Sequence, residues 1–183
     1  MKIRLNSAGA VILLASICAL GQTANIDQSA IVGGTYVNRF LGLTFTRPTT
    51  LSYERGQAVA HPLDRAFVLV KAVGKSQPGH VTSLMVLSAD KLSYYPSPQR
   101  SAAAYMSRME QDEKEDGYVV LQRKEEFLLG DCNLLRVDFR KGPLREAILV
   151  TTRRGFALVL IAISGSEQDL DSMLHSAQLS FND

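Results

Sequence analysis

Tryptophan is absent, and aromatic residues make up only 7% of the 183-residue chain. With so few flat rings, stacking platforms for single-stranded nucleic acid are not expected. Cysteine is nearly absent too: the two, Cys18 and Cys132, exclude a disulfide scaffold and a cysteine-rich metal module. Neither sign of charge dominates, with 20 lysines and arginines against 18 acids. No overall basic field therefore announces a nucleic-acid partner. There is no Asn-x-Ser/Thr sequon, which removes one positive sign of a eukaryotic secretory route. What the chain does have is 46% hydrophobic and 21% charged residues, the balance of a folded protein rather than a disordered one. At this length one domain is the default.

The N-terminus reads as an export signal. Lys2 and Arg4 supply a positive start, and residues 8–20 form an uncharged stretch of thirteen. That is short of the roughly 20 apolar residues needed to span a bilayer, which favours cleavage over a retained anchor. Ala19 and Gly21 place small residues for cleavage after Gly21, with a cut after Ala24 as second choice. Cys18 offers a third route, lipidation, since Ala15 and Ser16 suit a lipoprotein signal; the bulky Ile17 just before it does not. The expected organisation is a signal peptide at 1–21, a mobile leader at 22–34 and a single α+β domain at 35–183. Lys2 and Arg4 leave with the signal, so eighteen basic residues then balance eighteen acidic ones. A bacterial periplasmic or secreted protein is the expected context.

Along the mature chain, Tyr36, Phe40, Leu43 and Phe45 around Gly42 predict two short strands. Residues 49–65 are polar, with one irregular turn of helix expected. Strands are expected at 67–73 and 81–87 around a loop at 74–79. Ser97-Pro98 resembles a helix start, followed by an apolar face through Met109, a run of acids and Gly117 as terminator. Further strands are expected at 118–121, 126–129, 132–139, 146–152 and 156–163, joined by short turns as an antiparallel meander. In the third, Arg136 and Asp138 alternate with apolar residues, which predicts one wet or polar face. The stretch 156–163 (FALVLIAI) has no polar side chain and belongs at the centre of the sheet, covered on both sides. Ser166 opens a closing helix, and Leu179 and Phe181 end the chain as an extended tail.

Chemistry is harder to find. His61, His80 and His175 lie in separate segments without ligand spacing, and the acids at 110–116 lack a calcium-loop pattern. Gly74-Lys75-Ser76 superficially matches the end of a phosphate loop, but Leu69 stands where the motif needs glycine. It reads as a hairpin turn. No Gly-x-Ser-x-Gly elbow occurs. Cys132 follows Asp131, whose charge disfavours a thiolate, so a buried structural cysteine is expected. No catalytic, cofactor-binding or metal residue is expected. The basic residues Arg140, Lys141, Arg145, Arg153 and Arg154 fall at turns of the meander. They are candidates for a basic rim facing a lipid head group or acidic partner; otherwise they keep hairpin ends soluble.

One run carries a family likeness. Gly34-x-Tyr36-x-Asn38-x-x-Leu41-Gly42-Leu43-x-Phe45-x-x-Pro48 resembles the first hairpin of the PsbP-like fold. The element order after it, with Leu129-Gly130-Asp131 leading into Leu135-Arg136-Val137-Asp138-Phe139 and a closing helix, is similar as well. The resemblance covers about residues 34–181 and implies an α/β/α sandwich around a mainly antiparallel sheet. That fold is shared by a photosystem extrinsic subunit, a Ran-binding nuclear import factor and many exported bacterial proteins. Its motif positions carry no chemistry, so the resemblance implies a binding or assembly module more than an enzyme. The expected partner is an envelope protein, with no cofactor. The alternative is a small-ligand or lipid binder, or less readily a hydrolase, with a site between the sheet and a helix.

Overall fold

β10 (Phe156–Ser164) sits in the middle of a seven-stranded antiparallel sheet, where its sequence requires it to be. A computed structural model describes residues 26, 28–54, 66–77 and 80–182, and gives only the backbone of 76, 77, 80, 123 and 124. β10 pairs on one side with β6 (His80–Lys91) and on the other with β9 (Leu144–Arg153). Beyond β6 lie β5 (Ala66–Gln77) and the two-residue β4 (Ser52–Tyr53). Beyond β9 lie β8 (Cys132–Lys141) and the edge strand β7 (Val119–Leu129). A second, four-stranded sheet has the order β1 (Ser29–Val32), β2 (Thr35–Asn38), β3 (Leu43–Thr46) and β11 (Gln178–Phe181).

Two helices complete the fold. In α1 (Ala102–Glu115) the Ser101 hydroxyl accepts from the Ala104 amide at 3.2 Å, satisfying a donor the helix start leaves open. In α2 (Glu167–Ser176) Ser166 does the same for Asp169 at 3.1 Å, and Glu167 and Asp169 oppose the positive end of the dipole. Gly42 closes the β2–β3 hairpin at φ +59°, and its hydrogen side is filled by the Asn182 carbonyl. Any side chain there would push the chain end away, and with it β11.

The alternation of β10 builds two cores. Leu158, Leu160 and Ala162 join Met85, Leu87 and Leu149, beneath α2 residues Leu170, Met173 and Leu174 and small-sheet residues Tyr36, Phe45 and Leu179. Ala157 and Val159 join Val137, Phe139, Ile148 and Val150, beneath Tyr105 and Met106 of α1. α1 packs mainly on β7, β8 and β9, and reaches β6 at Asp90 and β10 at Ala157 and Val159. On that same side Leu84, Val86, Ile161 and Ile163 are half-buried and Val68 is 47% exposed.

Several expectations change. Residues 29–32, placed in the mobile leader, form β1, and the buried Ile26 carbonyl accepts from Asn38 Nδ2 at 2.9 Å. The tail at 178–181 is a strand because its Leu179 fills the core between β3 and β8. The segment 74–77 continues β5, and 118–129 runs as one bulged strand from 119 rather than two. Ser97-Pro98 starts a separate 3-10 turn, and the helix proper is capped four residues later by Ser101. Cover of β10 on both sides is complete for Val159 but partial for Ile161. Residues 1–21, with Gly21 and Cys18, lie outside the described residues, as does His61.

This arrangement makes unequal demands along β10. Leu158→Ala and Leu160→Ala, both in a closed core, should each cost about 2–5 kcal/mol. Val159→Asp should be at least as damaging, whereas Ile161→Asp should be markedly milder. Urea midpoints of the four variants check the order; equal losses for the two aspartates would mean Ile161 is also roofed.

Candidate functional site

Three clusters of buried charge attach the helices to the large sheet, and each is a candidate for chemistry. The first gathers around Asp90, 4% exposed at the end of β6. Its Oδ2 accepts from the Tyr105 hydroxyl of α1 at 2.8 Å and from the Tyr95 hydroxyl. Arg108, one turn further along α1, lies 3.8 Å from the same oxygen. Its guanidinium also stands 4.6 Å and 4.8 Å from the two tyrosine ring centres. Burial, and then the Asp90 carboxylate, push the Tyr105 phenol well above its ordinary range. Both phenols are donors fixed on a carboxylate: Tyr105 anchors α1 there, and Tyr95 anchors the loop before it.

The second cluster lies beneath the other end of α1. Glu146 of β9 stands opposite Phe139 of β8 and Ile163 of β10 and is 4% exposed. Its Oε1 has no hydrogen-bond partner among the described residues. Burial, reinforced by Glu113 of α1, pushes its carboxyl up to about 7. Glu113 is raised by burial and by Asp116 and Asp112, with Lys141 pulling the other way. Tyr118 is raised by burial and by Glu146, Glu113 and Asp116. Lys141 Nζ lies 5.0 Å from the Tyr118 ring centre and donates to the Asp116 carbonyl at 2.7 Å, closing the α1 C-terminus. A carboxyl that holds its proton near neutrality is suited to general acid chemistry, but this one is roofed by a helix.

The third cluster ties down α2. Arg136 donates to both oxygens of Asp138 at 2.8 Å and to Asp171 Oδ1 of α2, also at 2.8 Å. Its guanidinium lies 5.0 Å from the Phe127 ring centre. The face read as wet or polar is polar and buried: α2 closes over it, and the pair survives there because its charges are matched in a fork geometry.

The five residues of the expected basic rim do not meet. Arg140, Lys141 and Arg145 lie at the β8–β9 turn, Arg153 and Arg154 at the β9–β10 turn. Arg145 and Arg153 are eight positions apart on one strand, about 26 Å. Arg154 donates to the Phe40 carbonyl, and Arg153 donates to the Asn182 carbonyl at 3.4 Å while lying 5.0 Å from the Phe181 ring centre. That pair fastens the small sheet, and Lys141 fastens α1. Arg140 and Arg145 face each other across β8 and β9. The side chain of His80 is not described. Nδ1 of His175 donates to the Asp171 carbonyl at 2.8 Å, within its own helix. Among the described residues no three His, Cys, Asp or Glu side chains converge as metal ligands.

Sequence reading passed over Asp90 and Glu146. Each sits next to an apolar strand core, in Ser88-Ala89-Asp90 and Glu146-Ala147-Ile148, on the parity of a buried row. That parity was the available signal.

Two solution tests follow. Glu146 has a folded value above its unfolded one, so its protonated form stabilises the fold. That contribution is complete below about pH 4.5 and is lost as pH rises towards 7, on the order of 3 kcal/mol in all. Glu146→Gln should flatten the stability profile between pH 5 and 8 and raise the melting temperature at pH 8. An unchanged slope would show that Glu146 is not buried with its proton. Cys132, buried at the start of β8 and pushed up by burial and by Asp131, should react slowly with a thiol reagent at neutral pH. Unfolding should make it fast, and rapid labelling of the native protein would expose it as a reactive group.

No protein-family model and no curated protein matches the chain. Among solved structures it is similar to a crystal structure of a protein from Bacteroides thetaiotaomicron VPI-5482, at 13% identity and TM-score 0.42. That match takes in 85% of this chain and 48% of the other, so this chain spans about half its length. It is also similar to the solution structure of cyanobacterial PsbP (CyanoP) from Synechocystis sp. PCC 6803, at 14% identity and TM-score 0.51. Here 80% of this chain and 91% of the other are covered. With its antiparallel sheets, two helices and this neighbour, the chain has a PsbP-like α+β fold.

Proposed function

We propose that this protein is an exported, non-enzymatic binding or assembly module of the bacterial envelope, with residues 1–21 as its signal peptide. In this reading the fold is a PsbP-like α/β/α sandwich in which a four-stranded sheet shares one outer layer with α2. One observation supports it above the others. Among the described residues the α1 cover ends near Val159, and the strip beyond it presents Val68, Leu84, Val86, Ile161 and Ile163, with the Lys71–Glu54 ion pair at its β5 side. An apolar strip on a sheet is a surface for another protein, because covering it removes hydrocarbon from water. Its occupant is an envelope protein with an apolar contact surface. The charged clusters agree with this reading, since Asp90, Arg136 and Asp138 are occupied in holding helices. The alternative, a small-ligand site, draws on a separate feature beside α2.

Val68→Glu places a charge on the strip at a position already half in water, so the fold should survive. Protein recovered by cross-linking from the native envelope should begin at Gln22 or Asn25 and carry a bound protein partner. The variant should melt at the same temperature and lose that partner about tenfold or more. Retention of the same partner by Val68→Glu, or recovery of wild type as free monomer, would refute the module.

A further inference from the structure

A cavity of about 260 Å³ opens between α2 and the far ends of β5 and β6, away from the apolar strip. Its walls are polar and of both charges. Lys75 stands on the β5 side and Asp169 on the α2 side, with the hydroxyls of Thr50, Ser83, Ser164 and Ser172 around the space. We infer that this cavity binds a small zwitterion, a free α-amino acid or a molecule of that size carrying one ammonium and one carboxylate.

The donors and acceptors are available for it. Among the described residues, Thr50, Ser83 and Ser172 make no side-chain hydrogen bond, and Lys75 has no ion pair within 4 Å. Ser164 is 2% exposed, and its Oγ accepts a long 3.5 Å bond from the Ser166 amide, which leaves its own proton to donate. Asp169 Oδ2 accepts from the Ser166 hydroxyl at 2.7 Å, leaving Oδ1 for a ligand. Gly74 forms part of the wall. A side chain there would strike the Ser83 hydroxyl and come within 3.0 Å of Leu51 Cδ2, so its absence gives the Ser83 hydroxyl its place in the wall.

Charge and size select the ligand class. A simple anion would meet Asp169, and a simple cation would meet Lys75; each mismatch costs affinity. A neutral sugar would leave both charges unanswered and finds no aromatic face among the lining residues. A molecule with both charges answers Lys75 with its carboxylate and Asp169 with its ammonium, while the hydroxyls complete its hydrogen bonds. The volume is below the roughly 300–1,000 Å³ of drug-sized sites, so the ligand is small. Met173 adds one apolar contact for a short side chain. This site is independent of the docking strip, and either can fail without the other.

The probe is L-alanine, titrated into the full-length mature protein and followed by amide chemical shifts. Saturable shifts should be confined to Gly74, Ser83, Ser164, Ser172 and their neighbours. L-alaninamide, which lacks the carboxylate, and L-lactate, which lacks the ammonium, should each bind about tenfold weaker or less. Lys75→Met should weaken L-alanine to the same degree. Asp169→Asn should do so too, but it also touches the α2 cap, so Ser83→Ala provides a variant that leaves both charges and the cap in place and still weakens binding. No saturable shift up to about 10 mM L-alanine would overturn the inference, as would phosphate or glucose binding as tightly. Shifts centred on any other part of the fold would overturn it equally.

Discussion

From Phe156 to Ile163, β10 has nothing to offer water on either side, and the rest of the structure is arranged around that fact. Nine residues with no charged side chain occupy the fourth place among seven strands, and their alternate side chains enter two separate cores. A strand of this kind needs cover from two directions. α2 with the four-stranded sheet supplies one cover, and α1 supplies the other only as far as Val159. The small sheet therefore belongs to the core rather than decorating it: Tyr36, Phe45 and Leu179 are as buried as Leu158.

The two helices are held by different physics. α2 is tied through Arg136, which grips Asp138 with two parallel hydrogen bonds in the buried layer and reaches the more exposed Asp171 of α2 with a third. α1 is tied at Asp90 by the Tyr105 phenol, beside that of Tyr95 from the preceding loop, but at its other end it rests over Glu146, an acid with an acidic neighbour in Glu113. The fold thus carries a firm attachment and a proton-dependent one on the same helix.

What was legible in the sequence depended on local physics. The uncharged run at 156–163, the cap at Ser166 and the terminator Gly117 are each decided within a few residues, whereas the cap of α1 lies at Ser101 and not at Ser97, where serine followed by proline starts only a 3-10 turn. Arg136 and Asp138 make the polar face that alternation announced, but alternation could not choose between wet and buried, because it does not report whether a distant helix closes over the face. The rim of Arg140, Lys141, Arg145, Arg153 and Arg154 dissolved for a related reason. Successive turns of a meander alternate between opposite ends of the sheet, so two neighbouring turns cannot share an edge. The strands at 29–32 and 178–181 were missed because each is four residues long and is fixed by partners far away in sequence. The polar cavity could not be anticipated either, since Lys75, Ser83, Ser164 and Asp169 meet only when α2 folds back across β5 and β6.

Among the described residues one apolar strip of the sheet is left open. Methyl signals recorded with a soluble paramagnetic agent test it directly. Val68, Val86, Ile161 and Ile163 should be strongly attenuated, while Leu158, Val159, Leu160 and Ile148 stay protected. Equal protection of both groups would mean that the chain covers the strip itself, and the docking surface would not exist.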